Sequence, residues 1–218
     1  MAKKKALSNK NVLNASFEVV EFEGEWKASF GKPELKGVWL VYGASGSGKT
    51  TFLMKLAKYL TNFGRVAYDS LEQGISLSLQ TAWKRVGMHE AGNQIVLWDR
   101  EGVADIRERL RKRRSPSVVI IDSLPYLHGF NFRELTRLKE QFPNVLFVFI
   151  AHEKKGEPEG SLARRIKYDA EIKIHVQGFQ AFVTTRYEVK EKGEGGQPFV
   201  IWEEGAKRYA SEADSNNK

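Results

Sequence analysis

The segment Gly43-Ala44-Ser45-Gly46-Ser47-Gly48-Lys49-Thr50 constrains this chain more than any other. It stands between the apolar run Val38 to Tyr42 and the stretch Thr50 to Phe63, which read as a buried strand and the helix that follows it. A glycine-rich turn from strand to helix lets successive backbone amides, with the helix's N-terminus, close around an anion. Lys49 adds a point charge within reach of the β- and γ-phosphates of a nucleotide, and the Thr50 hydroxyl is an oxygen ligand suited to magnesium. Thr51 continues the first turn of the helix. The spacing in this strand–helix setting predicts a loop for ATP with Mg2+, built from residues 43–51.

Beyond the loop, short apolar runs alternate with amphipathic stretches. Val66 to Ser70, Ile95 to Trp98, Val118 to Asp122 and Val145 to Ile150 read as strands. Ile75 to Val86, Val103 to Lys112 and Phe132 to Gln141 read as helices, with Pro116 and Pro143 as breaks. This rhythm predicts a mostly parallel α/β sheet, since parallel neighbours need crossover connections. No helix is expected between the later runs Glu171 to Val176, Ala181 to Tyr187 and Pro198 to Trp202, so the sheet should end in antiparallel strands. The 218 residues are expected to form one domain: a mobile basic stretch 1–12, an extension 13–36 packed on the core, a core over 37–204, and a mobile tail 205–218. The chain has no cysteine, which removes disulfides, thiolate metal sites and cysteine nucleophiles and suits the cytoplasm. Its apolar runs fall far short of the roughly 18 residues of a membrane span, and the polar residues after Lys3-Lys4-Lys5 do not make a signal peptide.

Val118 to Asp122 is an apolar strand ending in a carboxylate, the place from which an aspartate holds magnesium beside Thr50. Ser123 follows it, so a carboxylate that polarises water has to come from elsewhere. Glu72, just past the strand Val66 to Ser70, is the expected base, because ligands of open α/β sheets gather at the carboxyl ends of strands. Asp69 competes from inside the same strand. Plainer readings stand beside these: Asp122 as a cap of the next turn, and Glu72 as an ordinary loop residue.

Gly43 to Thr50, the run YDSLEQG from Tyr68 to Gly74, and VVIIDSLPYL from Val118 to Leu127 together resemble the core of RecA-type P-loop ATPases, over roughly residues 36–204. That family includes RecA/RadA-like recombinases and the motor domains of DnaB-like helicases. Ser70 to Glu72 is similar to the helicase branch, and Ile121 to Ser123 to the recombinases. The resemblance implies a three-layer, RecA-like P-loop NTPase fold and ATP hydrolysis. It puts a γ-phosphate sensor at His152, where the family commonly has glutamine, and an arginine finger at Arg186, before the glycine-rich stretch Lys192 to Gln197. Thr184 stands where helicases often carry a companion lysine. A finger acting on a neighbour's nucleotide implies a homo-oligomer, ring or filament. The catalytic set is then Lys49, Glu72, Asp122, His152 and Arg186. The plainer readings are a histidine satisfied by backbone and a surface arginine.

An excess of 35 Lys and Arg over 27 Asp and Glu gives a formal charge of +8, a field that attracts polyanions. The resemblance assigns the DNA path to a mobile loop from His152 to Lys167. There Lys154, Lys155, Arg164, Arg165 and Lys167 would meet phosphates without reading sequence, while Glu153, Glu157 and Glu159 dilute the field. Arg107 to Arg114 is denser in charge, with Ile106 and Leu110 turned inward; it reads as a solvated helix face, with a second nucleic-acid contact as the alternative. The expected function is a DNA-associated ATPase of the motor or accessory kind in replication or recombination. The alternatives are a nucleotide-switched, partner-recruiting ATPase and a small-molecule kinase, the latter disfavoured by Glu72 and the late hairpin.

Overall fold

Alternate residues of a strand face opposite ways, and here both sets are apolar. In the strand Gly37–Gly43, Trp39 and Val41 enter one hydrophobic layer while Val38, Leu40 and Tyr42 enter another. A sheet built this way has to be covered on both faces, which gives three layers. The structure, a computed structural model, describes residues 6–186 and 195–216. In chain order the elements are α1 (Asn9–Leu13), α2 (Gly24–Phe30), β1 (Gly37–Gly43), α3 (Lys49–Leu60), β2 (Val66–Ser70), α4 (Leu77–Arg85) and β3 (Ile95–Trp98). They continue with α5 (Val103–Arg111), β4 (Val118–Asp122), α6 (Phe132–Gln141), β5 (Leu146–Lys154), β6 (Glu157–Pro158) and α7 (Ser161–Asp169). β7 (Ile172–Gln177), β8 (Gln180–Thr185), β9 (Phe199–Val200) and α8 (Glu203–Asn216) complete them.

The strands order as β3-β2-β4-β5-β1-β7-β8-β9, with β6 paired to the end of β5. From β3 to β7 every neighbour is parallel, and β8 and β9 close the sheet antiparallel. Mostly parallel strands with an antiparallel end were the expectation from the apolar rhythm. Helices α3 and α4 cover the layer with Trp39, Tyr68 and Ile120; α5, α6 and α7 cover the layer with Leu40, Ile121 and Phe149. Register fixes what meets at the carboxyl edge: Gly43 lies opposite His152 and Val176, and Ser70 opposite Asp122.

Three segments add to or depart from the expected outline. The stretch His152 to Lys167, expected as a mobile loop, is largely regular. Strand β5 runs on to Lys154, Lys155 and Gly156 turn it at φ of 56° and 78°, β6 returns, and α7 follows. The helix forms because Ala163 and Ile166, three apart, sink into the second layer, a short period masked by the surrounding charges. The tail expected from residue 205 is instead part of α8. Tyr209 fills the space a side chain at Gly178 would need and its hydroxyl accepts from Gln177 at 2.9 Å. Ahead of the core, Phe22 and Phe30 are buried, and Trp26 stacks on Tyr59 at 4.9 Å and meets Phe199 at 4.2 Å. Burying one such ring contributes about 1.5–3 kcal/mol. Among the described residues no helix is long and apolar enough to cross a membrane.

Candidate nucleotide site

Gly43 is where β1, β7 and the loop crowd together: a Cβ there would lie 2.2 Å from the Val176 carbonyl oxygen. Gly46 and Gly48 take φ of 75° and 101°, a region that side chains disfavour. Gly48 caps α3, whose Phe52 amide donates to its carbonyl at 2.9 Å. Ala44 and Ser45 are exposed at the loop tip, while Thr50 and Thr51 are half-buried on the first turn of α3. The Ser47 hydroxyl is buried with no hydrogen-bond partner. Lys49 is only 8% exposed, and its ammonium donates to the Ala44 carbonyl at 2.6 Å. Burial lowers its pKa, against the pull of Asp122, Glu72 and Glu153.

Asp122 is 6% exposed at the tip of β4 and accepts the Tyr68 hydroxyl at 2.5 Å. Burial raises its pKa to about 6; the Tyr68 bond lowers it, nearby Glu72 raises it, and Lys49 and His152 lower it. The Asp122–Ser123 peptide is cis. The Asp122 carbonyl accepts the amides of Leu71 at 2.7 Å and Glu72 at 3.0 Å, so the turn after β2 is tied to the end of β4. The Glu72 carboxylate accepts the Ser123 hydroxyl at 3.2 Å and lies 3.9 Å from His152 Nε2. Asp69 faces away from this group. It is fully buried beside the start of α5, accepts the Glu101 amide at 3.1 Å, and does not line the cleft.

These groups border a cleft of 740 Å³. Its other wall was not anticipated. Phe179 and Trp202 meet edge to face at 5.1 Å, Ile201 lies beside them, and a Cβ on Gly48 would come within 3.3 Å of the Phe179 ring. Lys55 donates to the Ile201 carbonyl at 2.8 Å, and Arg85 to the Thr51 hydroxyl at 3.3 Å. Phe179 carries one readable signal: it is an aromatic residue in the tight turn between β7 and β8, at φ 58°. Thr50 and Asp122 offer oxygen ligands at the cleft. Among the described residues no three His, Cys, Asp or Glu side chains converge on a metal position. That donor set fits magnesium, which usually binds through one or two carboxylates, water and substrate phosphates.

The remaining expected residues lie outside the cleft. Arg186 is at the far end of β8, opposite Glu171, about 16 Å along the sheet from the level of Gly43. Its guanidinium bonds the Tyr168 carbonyl and lies 3.9 Å from Glu171. Part of the stretch Lys192 to Gln197 lies outside the described residues. On the hairpin and α7, Lys154, Lys155, Arg164 and Arg165 are exposed. Lys167 is held by Glu157 at 2.8 Å and sits 4.9 Å over the Tyr42 ring, and Arg165 stacks 4.1 Å over Phe132.

A phosphate-loop strand at the centre of a mostly parallel three-layer sheet, closed by antiparallel strands, is the RecA-like P-loop NTPase fold. Solved structures share it. The flagellar accessory protein FlaH of Methanocaldococcus jannaschii matches with a TM-score of 0.57 at 14% identity, over 78% of this chain and 88% of that one. A second solved structure, an ATPase domain, matches at 0.55 and 18% identity, over 80% of this chain and 84% of that one. A DnaB-like replicative helicase, solved with attention to its interactions with primase, matches at 0.53 and 16%, over 79% of this chain and 57% of that one. At these identities the likeness is one of fold. Among curated proteins, the signal recognition particle 54 kDa protein of Hyperthermus butylicus is 28% identical over 156 residues, 66% of this chain. This chain spans 34% of the length of that relative. No family model matches.

Proposed function

We propose that the chain binds ATP with magnesium in this cleft, hydrolyses it as a homo-oligomer, and acts on DNA without sequence preference, in the cytoplasm. The observation that carries the reading is convergence: the ends of β1, β2, β4 and β5 bring the glycine loop, Glu72, Asp122 and His152 to one cleft. The loop amides and the N-terminus of α3 cradle the phosphates. Lys49 exchanges the Ala44 carbonyl for a phosphate oxygen. Thr50 and Asp122 hold the magnesium ion, which when bound neutralises phosphate charge. Glu72, oriented by Ser123, takes the proton of the water that attacks the γ-phosphorus as the bond to ADP breaks, and His152 contacts the γ-phosphate. Phe179 and Trp202 form the wall on which the base rests. Arg186 is too far from its own cleft to serve there, so its proposed target is a neighbour's nucleotide. Lys154, Lys155, Arg164 and Arg165 are the proposed DNA contacts on the hairpin side, with Lys167 released from Glu157 to join them only if the hairpin rearranges.

The pairing of Lys167 with Glu157 favours one other reading, a nucleotide-switched ATPase that recruits a protein partner. Titrating Mg-ATP binding and measuring turnover with and without single-stranded DNA over a salt series separates the two. Turnover and salt-sensitive DNA stimulation are expected. ATP binding with no DNA binding at low salt would leave the recruiting reading, and no affinity for Mg-ATP in any assembly state would sink both. Glu72→Gln should keep ATP affinity and lose about 10²–10⁴ in kcat.

A further inference from the structure

Arg111, Lys112, Arg113 and Arg114 follow one another from the end of α5 into the turn before β4. They lie at the amino edge of the parallel strands, while the nucleotide cleft lies at the carboxyl edge. Charges further back on α5 are neutralised, Arg107 by Glu134 at 2.6 Å and Arg109 by Glu101, and within the run Lys112 reaches back to Glu108 at 2.9 Å. Arg111, Arg113 and Arg114 are exposed and make no ion pair among the described residues. The turn itself is fixed. Arg114 takes φ 61°, and Arg65, just before β2, donates to its carbonyl at 3.0 Å while burying its own Nε without a partner. The charge therefore sits on an anchored turn rather than on a fraying helix end.

We propose that this turn is a docking site for the nucleic-acid phosphate backbone, separate from the cleft and from the Lys154–Lys155 hairpin. Three arginines in four residues suit phosphate, whose oxygens accept the paired donors of a guanidinium; a lysine offers only a point charge. Each strand of duplex DNA presents one negative charge per about 3.4 Å of axis, so the two strands together give one per about 1.7 Å. An extended acidic peptide offers at most one carboxylate per about 3.3 Å on its single chain, so the duplex is the denser anion for a cluster of cations on one turn. No zinc-finger, helix-turn-helix or RNA-recognition signature accompanies the turn, so the contact does not depend on base sequence.

The test uses the full chain carrying Arg111→Ser, Arg113→Ser and Arg114→Asn, the last because asparagine tolerates the left-handed backbone. Binding of a labelled DNA duplex and a labelled single strand is followed by anisotropy across a KCl series without nucleotide. A Lys154→Ser/Lys155→Ser chain and an unchanged melting temperature serve as controls. The expected result is a salt slope shallower by about two to three than that of the wild type, since each lost phosphate contact removes about 0.9 for duplex. Affinity at low salt should fall at least about tenfold, while ATP turnover without DNA stays as it was. A triple variant that binds both oligonucleotides like the wild type overturns the proposal. So does displacement of the DNA by polyglutamate at equal charge concentration, which would assign the turn to an acidic protein instead. Neither outcome depends on whether the cleft hydrolyses ATP.

Discussion

Gly43 has no space for even a methyl group, because the Val176 carbonyl occupies it. Gly43→Ala should cost about 1–3 kcal/mol in urea unfolding, the usual penalty for overpacking, and should weaken ATP binding by displacing the loop. Asp69 tests electrostatics where the proposed reaction does not reach. One of its oxygens is buried without a partner, and burial raises its pKa to about 7, with the Glu101 amide pulling the other way. The folded chain then keeps a proton that the unfolded chain releases near pH 4. On this account stability falls as pH rises from about 4 to about 7, and levels off above. Asp69→Asn should flatten that slope and be the more stable form at about pH 8, by a few kcal/mol at most. Unfolding midpoints measured at about pH 5 and about pH 8 check the sign. Arg100 is a quieter case. It donates to the Gln73 carbonyl at 3.1 Å and fills the space above Gly74, so it braces the turn that carries Glu72. Arg100→Ala should lower kcat a few-fold with ATP affinity intact, and Arg100→Lys should restore part of it.

At the scale of elements, the site is half parallel sheet and half C-terminal packing. The end of β5 that carries β6 is tied to β7 through Glu153, which bonds His175 at 2.7 Å; His175 stacks on Tyr42 at 4.8 Å, and Lys167 of α7 lies over the same Tyr42. His152 at the cleft is therefore one residue from a side-chain chain that reaches α7. On the other side, α8 fixes the aromatic wall: Gly205 is pressed against Trp202 and Phe179, and Tyr209 against Gly178. Trp202→Ala should weaken ATP binding by about 1–3 kcal/mol if the base stacks there. ATP and inorganic triphosphate compared by calorimetry show whether the loss belongs to the base: it should appear with ATP alone.

For the whole molecule, the position of Arg186 makes assembly the question. A finger supplied by a neighbour is worth about 10³–10⁵ in rate, so turnover per chain should rise with protein concentration. Arg186→Ala and Glu72→Gln chains, each inactive alone, should regain activity when mixed, because one interface then carries both intact groups. Mixtures that stay inactive over the concentration range in which the wild type assembles would argue against the finger.

The strand cores were readable because their residues are apolar on both faces: Val66–Ser70, Ile95–Trp98 and Val118–Asp122 came out with the expected bounds. The glycine loop was readable because its chemistry is local: a turn, an anion nest and a lysine within eight residues. α7 and α8 were not, since each is short in apolar residues and owes its helix to a few contacts with distant chain, Ala163 and Ile166 in one, Gly205 and Tyr209 in the other. The sequence by itself determined the α/β layering and the glycine-rich turn from β1 into α3, both written in near-neighbour patterns. Only the tertiary structure decided that Phe179 and Trp202 wall the cleft, that Glu72 lies within reach of Ser123 and His152, and that Arg186 faces away. Those relations join residues far apart in the chain, and strand order and register set them.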